Sequence, residues 1–240
     1  MLTLLAKGLH EMGLEADSDR LRLFETYRDE LIRWNQQVNL TSIVDPVEVE
    51  KRHFLDSLTL LYALPDRTES GAGISIIDVG SGAGFPGIPV KLLLPEARIT
   101  LLEATGKKVS FLSHIVSLLG LNGVEVLHGR AEDVARLPAY REQYDVAVAR
   151  AVAALPTLAE LCLPFIRVGG QFVALKKGDL EAEIRSARKA LHTLGGAEAR
   201  LLAVPLEQLS DGRYLVCSSK LSRTPDAYPR HAGAPFKRPL

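Results

Sequence analysis

Neither charge is in surplus in this chain: 29 Lys and Arg balance 29 Asp and Glu over 240 residues. Attraction to a polyanion through overall charge is therefore excluded, and any nucleic-acid site must be a local cluster. Cysteine is scarce, with only Cys162 and Cys217, far apart and in apolar surroundings. Their spacing rules out a disulfide framework and a cysteine metal site. It leaves two buried thiols and fits a reducing cytoplasm. No apolar run approaches the roughly 20 residues that span a bilayer. The opening M-L-T-L-L-A-K-G-L-H-E lacks a basic region and a long apolar stretch, so it does not read as a signal peptide.

Apolar material is plentiful at 47% hydrophobic, enough for one sizeable core. From Ile74 the pattern alternates. Ile74–Val79, Arg98–Glu103, Val124–His128, Tyr144–Ala149 and Gln171–Lys176 read as buried strands. Between them Pro86–Leu94, Lys107–Leu119, Ala131–Leu137 and Leu155–Arg167 read as helices, the last closed by Gly169-Gly170. Leu180–Leu194 is a further helix. This rhythm gives βαβ units and a mostly parallel sheet. Arg200–Val204 and Tyr214–Ser219 then follow without room for a helix between them, so they pair antiparallel or lie apart. Before the sheet, Leu21–Val38 and Val47–Leu64 show helical spacing, with Asp45-Pro46 as an Ncap–N1 pair. The expected division is a helical extension over residues 1–70, an α/β core over 71–221 and an extended basic tail over 222–240.

The first strand runs into D-V-G-S-G-A-G-F-P-G, Asp78 to Gly87. Gly80, Gly82 and Gly84 let the backbone turn and approach a ligand at the carboxyl end of a parallel sheet. The loop also satisfies G-x-G-x-x-G, which suits a dinucleotide. Asp78 argues against that ligand. A carboxylate two residues before the first glycine repels a pyrophosphate at the helix N-terminus, but suits the α-amino group and sulfonium of S-adenosylmethionine. Glu103, at the end of the second strand, can accept from ribose hydroxyls of either ligand. Glu132 and Asp133 follow the third strand and also serve as helix N-terminal acids. The parallel sheet ending in an antiparallel pair is what a Class I methyltransferase looks like.

The chain resembles the glucose-inhibited-division B family of bacterial small-subunit rRNA guanine-N7 methyltransferases. The matching segments are V-N-L-T-S at Val38–Ser42, H-F-L-D-S-L at His53–Leu58 and D-V-G-S-G-A-G-F-P-G-I-P at Asp78–Pro89. G-K-K-V-S-F-L at Gly106–Leu112, G-R-A-E at Gly129–Glu132, A-R-A at Ala149–Ala151 and the terminal Y-P-R-H-A-G-A-P-F-K-R-P-L complete them. The resemblance implies a Rossmann-like fold with an N-terminal helical extension. It also implies methyl transfer from S-adenosylmethionine to N7 of guanine 527 in the 530 loop of 16S rRNA. Its implied cofactor contacts are Gly80, Phe85, Glu103, Ala104, Thr105, Ala131, Glu132 and Arg150.

Guanine N7 has a lone pair and no hydrogen, so attack on a methyl group needs positioning and not a general base. The sequence is consistent by omission. Ala149-Arg150-Ala151-Val152 stands where amine methyltransferases carry Asn/Asp-Pro-Pro-aromatic, and no Pro-Cys nucleophile is present. Arg150 is a candidate for positioning, either on the target nucleotide or on a carboxylate such as Glu132 or Asp78. Candidate RNA contacts are Lys51, Arg52 and His53, then Lys176 and Lys177, then Arg230, Lys237 and Arg238 with His231. His53 and Asp56 share a helical face and also read as a docked, satisfied pair. The open alternatives are a Class I methyltransferase for another RNA, a protein or a small molecule, a nicotinamide oxidoreductase, and a non-catalytic RNA-binding module. No metal is expected, no membrane association, and a monomer is favoured.

Overall fold

The computed structural model describes residues 2–15, 17–64, 73–150 and 153–240. The linker expected around 67–73 lies largely outside the described residues, as do Ala151 and Val152.

The chain opens with α1, Thr3–Glu11. Its own N-cap, Leu2, supplies no side-chain acceptor. Glu50 does so instead: its carboxylate accepts from the amides of Leu4 and Leu5 at 3.0 and 3.2 Å. The cap is supplied from more than forty residues away, so no local signal announces this helix. Helix α2, Ser18–Val38, is capped by the Asp17 side chain and ends at Asn39 in the left-handed conformation. The segment expected as one helix over Val47–Leu64 is continuous but changes its hydrogen bonding. It runs as α3 (Pro46–Val49), a π-helical turn (Glu50–Leu55), α4 (Asp56–Leu58) and a 3-10 turn (Thr59–Ala63). Asp45 caps α3, accepting from the amides of Val47 and Glu48.

Next come β1 (Ser75–Val79), α5 (Gly87–Leu93), β2 (Arg98–Glu103), α6 (Gly106–Leu118), β3 (Val124–His128), α7 (Ala131–Val134) and β4 (Tyr144–Arg150). Then α8 (Leu155–Cys162) leads through a 3-10 turn into β5 (Ile166–Lys177) and α9 (Glu181–Thr193). The hairpin strands are β6 (Arg200–Ala203) and β7 (Arg213–Ser219), and a short turn of helix, α10, spans Ala234–Lys237. Two expectations need correction here. The helix expected to reach Arg167 stops at Cys162, where Pro164 cannot continue its hydrogen bonds. Gly169-Gly170 does not close a helix but lies inside β5, where a Cβ on Gly170 would meet the Asp145 carbonyl at 2.6 Å.

The sheet has seven strands in the order β3-β2-β1-β4-β5-β7-β6. The first five are parallel, and β7 runs antiparallel to both β5 and β6. Helices α1, α2, α5 and α6 pack one face with the helical segment 46–63, while α7, α8 and α9 pack the other. The N-terminal helices thus share a core with the sheet. Phe24, Tyr27 and Phe54 are fully buried: Phe24 tilts against Phe54, Phe54 stacks on Tyr27, and Tyr27 stacks on Phe85, which follows the glycine loop. The Tyr27 hydroxyl donates to the Ala83 carbonyl at 2.6 Å, so α2 holds that loop directly. Both cysteines are buried free thiols, and burial pushes both above their usual range. No described helix is long and apolar enough to cross a membrane.

Candidate functional site

Parallel strands bring their carboxyl ends to one edge, and the loops there form the site. Over β1 the chain turns through Gly80, Gly82 and Gly84 with φ of 75°, 61° and 101°. These values are open to glycine and strained for other residues. A Cβ on Gly82 would meet nothing nearer than the Gly80 carbonyl at 4.0 Å, so the space above that backbone is free for a ligand. A Cβ on Gly87 would approach Asp78 Oδ2 at 3.0 Å and Leu101 at 2.4 Å, which is why the helix enters on glycine.

Asp78 is completely buried beneath the loop. Its Oδ2 accepts from the Gly87 amide at 2.9 Å, and its Oδ1 is buried without a partner among the described residues. Burial pushes its carboxyl up to about 7, against the amide of Gly87 and the charge of Arg150. A buried acceptor without a donor costs free energy, and an incoming ammonium relieves it. These residues fit the aminoacyl end of S-adenosylmethionine and disfavour a pyrophosphate. Glu103, also buried, uses its carboxylate to brace the site: Oε2 accepts from the Gly82 amide at 2.9 Å and Oε1 from the Thr105 amide at 2.8 Å. Each oxygen keeps a lone pair for a ribose hydroxyl. Ala104 and Thr105 follow in the turn into α6, and Ala131 and Glu132 open α7. The Glu132 side chain is occupied, accepting from the Gly233 amide at 2.8 Å.

Arg150 ends β4, and of the alternatives left open for it the structure shows a carboxylate partner, Asp56, which was not among the examples Glu132 and Asp78. Its Nη1 donates to Asp56 Oδ2 at 3.2 Å and to the Arg52 carbonyl at 2.9 Å, while its guanidinium lies 4.9 Å from the centre of the Phe85 ring. Arg213, from β7, donates to Asp56 Oδ1 at 2.8 Å. Burial raises the Asp56 carboxyl, opposed by the two arginines. The Nη2 of Arg150 reaches His53 Nδ1 at 3.1 Å. Arginine only donates, so Nδ1 accepts and the ring proton sits on Nε2, donated to Thr41 Oγ1 at 2.9 Å. Burial, and then the Arg150 charge, push His53 down to about 3, so it is neutral. Its ring stacks on Phe85 at 4.3 Å.

The residues expected to contact RNA differ in burial and in their partners. His53 is buried, not on the surface. Arg52 pairs with Glu48, and Lys176 with Glu183 at 2.6 Å. The tail is not extended over the surface: it docks on the core. Arg230 grips the fully buried Glu160 through its backbone amide and its guanidinium, Thr157 donates to the Pro235 carbonyl, and Arg141 donates to the Thr224 and Tyr228 carbonyls. Lys51, Lys177, Lys237 and Arg238 stand outside these pairs. Arg213 and Glu183 line the site and were not singled out from the sequence. The S-D-G-R turn marks Arg213 only by its charge, and nothing local marks Glu183.

The model of the family described as GidB, rRNA small subunit methyltransferase G, matches residues 20–209. The chain belongs to that family. It is 48% identical over 236 residues, 98% of each chain, to "Ribosomal RNA small subunit methyltransferase G" of Dehalococcoides mccartyi (strain CBDB1). It is 41% identical to the protein of that name from Acetivibrio thermocellus, over 99% of this chain and 96% of that one. Among solved structures, a predicted O-methyltransferase from Agrobacterium tumefaciens superposes with a TM-score of 0.53 at 20% identity, over 69% of this chain and 81% of that one. TYW2 of M. jannaschii, solved in complex with AdoMet, does so with 0.50 at 15% identity, over 65% and 71%. Such likeness carries the fold. The sheet order with its antiparallel end is thus that of the Class I methyltransferases, and membership of the GidB family selects S-adenosylmethionine over a dinucleotide at the glycine loop.

Proposed function

We propose that this GidB-family protein transfers a methyl group from S-adenosylmethionine to N7 of a guanine in 16S rRNA, guanine 527 of the 530 loop. The cofactor supplies an electrophilic methyl on a sulfonium. The observation that carries the reading is the buried, unpartnered Asp78 Oδ1 beneath an open glycine loop, in a chain of this family. Asp78 receives the ammonium, the Gly80–Gly84 backbone leaves room for the aminoacyl chain, and Glu103 takes the ribose. Phe85, covered by the His53 ring and the Arg150 guanidinium bonded to it, walls the reacting end.

N7 attacks with its own lone pair, so no residue needs to remove a proton. The neutral His53, with both ring nitrogens engaged, suits a structural part and not a base. Arg150 is a positioning residue: it ties the helical segment 46–63 to β4 beside the reacting end. Lys51, Lys177, Lys237 and Arg238 supply local attraction to phosphates in a chain of zero net charge. The protein works in the cytoplasm as a monomer, with residues 1–70 and 222–240 framing a methyltransferase core over 71–221.

The test is incubation with labelled S-adenosylmethionine and small subunits lacking the modification, followed by mapping of the label. Label at N7 of guanine 527 is expected. Label confined to protein, to a small molecule or to another base overturns the proposal.

A further inference from the structure

The strand order divides the carboxyl edge in two. The glycine loop, Glu103 and Glu132 lie over β1, β2 and β3. Beside them, over β4, β5 and β7, a cavity of about 420 Å³ is walled by Asp56, Arg150, Lys177, Glu183 and Arg213 with their neighbours. Ligand sites run to about 300–1,000 Å³, so a single nucleotide fits. Arg150 belongs to both sides: it lines the cavity and lies over Phe85.

Two carboxylates line this cavity among the described residues, and they differ in what they have left to offer. Asp56 is engaged at both oxygens by Arg213 and Arg150. Glu183 is clamped at one oxygen only. Its Oε1 accepts from the Leu155 amide and from Lys176 Nζ, both at 2.6 Å, which uses both lone pairs. Its Oε2 accepts from no described residue, and the side chain keeps 25% of its exposure. The result is a charged acceptor with a fixed orientation and one free oxygen, on the wall of a nucleotide-sized space.

The base to be methylated constrains what such an acceptor can do. N7 and the N1–H and N2–H donors lie on opposite edges of guanine, so a base gripped by its donor edge presents N7 away from the grip. Guanine alone among the four bases shows two adjacent donors on its Watson–Crick edge. Adenine and cytosine show a donor beside an acceptor, and uracil one donor between acceptors. Enzymes that act on an extruded base read it through hydrogen bonds to this edge.

We propose that Glu183 is the residue that selects guanine, its Oε2 accepting from N1–H and N2–H while N7 faces the cofactor side. Lys176 and the Leu155 amide are its positioning partners. The inference rests on guanine being the substrate. It gives a part to the carboxylate of this cavity that keeps an oxygen free of the described residues: the cations suit the phosphates, and this carboxylate suits the base.

The experiment compares small subunits reconstituted with 16S rRNA carrying guanosine or inosine at the methylated position, the latter lacking only the N2 amino group. Wild type is expected to favour guanosine over inosine by roughly tenfold in kcat/KM, the scale of a hydrogen bond to a charged acceptor. Glu183→Gln keeps the shape and the Leu155 contact. It should lower kcat/KM on guanosine by roughly tenfold to a hundredfold, leave cofactor affinity by titration unchanged, and shrink the guanosine-to-inosine preference. A Gln variant that retains the full wild-type preference overturns the inference. So does a wild-type enzyme that methylates both particles equally, a result that depends on no variant folding. Label in neither particle overturns the rRNA reading itself, and the inference with it.

Discussion

The two halves of the carboxyl edge carry opposite charge. Over β1, β2 and β3 the buried charged side chains are acids, Asp78, Glu103 and Glu132, with Lys107, Lys108 and Arg130 more exposed around them. Over β4, β5 and β7 they are mostly bases: Arg150, Lys176, Lys177 and Arg213. β7 delivers Arg213 to this edge because it runs antiparallel, which places its first residue beside Lys177 at the end of β5. On the proposed function, one half of a single sheet suits a cationic cofactor and the other a polyanion. A net charge of zero over the whole chain is compatible with such a local separation of sign.

The strongest way to break the comparison is Gly82→Val. A Cβ there collides with nothing in the protein, but it occupies the ligand's space and needs φ of 61°, which valine resists. Cofactor affinity should fall beyond a hundredfold in titration calorimetry while RNA binding in filter assays persists. Loss of both would mean that the halves are not separable.

Next in size is Arg230→Ala. This cation lies outside the basic half and pairs with Glu160, which has no exposure. Breaking the pair leaves a buried carboxylate without its cation, costing about 3 kcal/mol, the low end for buried pairs because Arg230 keeps some solvent contact. The melting temperature should fall by roughly 6–12 °C, and the salt dependence of RNA binding should stay as it is. A shallower salt slope with an unchanged melting point would move Arg230 into the basic half.

A pH series sharpens the contrast through one buried group from each half. Asp78, raised to about 7 from 3.8, holds its proton in the folded protein and not in the unfolded chain between those values. Its contribution to stability is present at low pH and disappears as pH rises through about 7. His53, lowered to about 3 from 6.5, does the reverse: its contribution is present above 6.5 and is lost as pH falls toward 3. Without cofactor the two slopes oppose each other over one range. Thermal melts of Asp78→Asn should lose stability on acidification more steeply than wild type, and those of His53→Gln less steeply. Identical slopes in all three would remove both assignments.

The smallest effect is expected from Lys177→Ala. Its ammonium is exposed at the end of β5, so stability and cofactor affinity should not change. One lost phosphate contact should lower the log–log salt slope of RNA binding by about 0.7–0.9. An unchanged slope would leave Lys177 as a solvated surface charge.

Parts of this arrangement are legible in the sequence for a physical reason. Asp78 and Glu103 end β-branched, apolar runs whose parallel pairing brings their carboxyl ends together, and the glycines between them have few other uses. The same local logic misplaces the end of α8, because Gly169-Gly170 reads equally as a helix stop or as an opening in a strand. Asp56 and Arg150 are 94 residues apart, and Arg230 and Glu160 are 70 apart. Nothing in either neighbourhood names the other, so local reading leaves the partner of Arg150 open and does not find the Arg230–Glu160 pair. Helix α1 is invisible for the same reason, since Glu50 caps it from a different element.

The hairpin has a consequence in time. β6 pairs with β7 alone, and β7 follows β6 in the chain yet lies between β6 and β5. Arg200–Ala203 therefore has no place in the sheet until Arg213–Ser219 arrives, and Arg213 reaches Asp56 only with that arrival. In a chain that emerges from its N-terminus, the partners of Asp78 and Glu103 are all present before Arg213 is made, whereas Glu132 waits for Gly233. On the proposed function, the contacts that shape the cofactor loop are all present in the chain by Thr105, while those that shape the target side wait for the last strand.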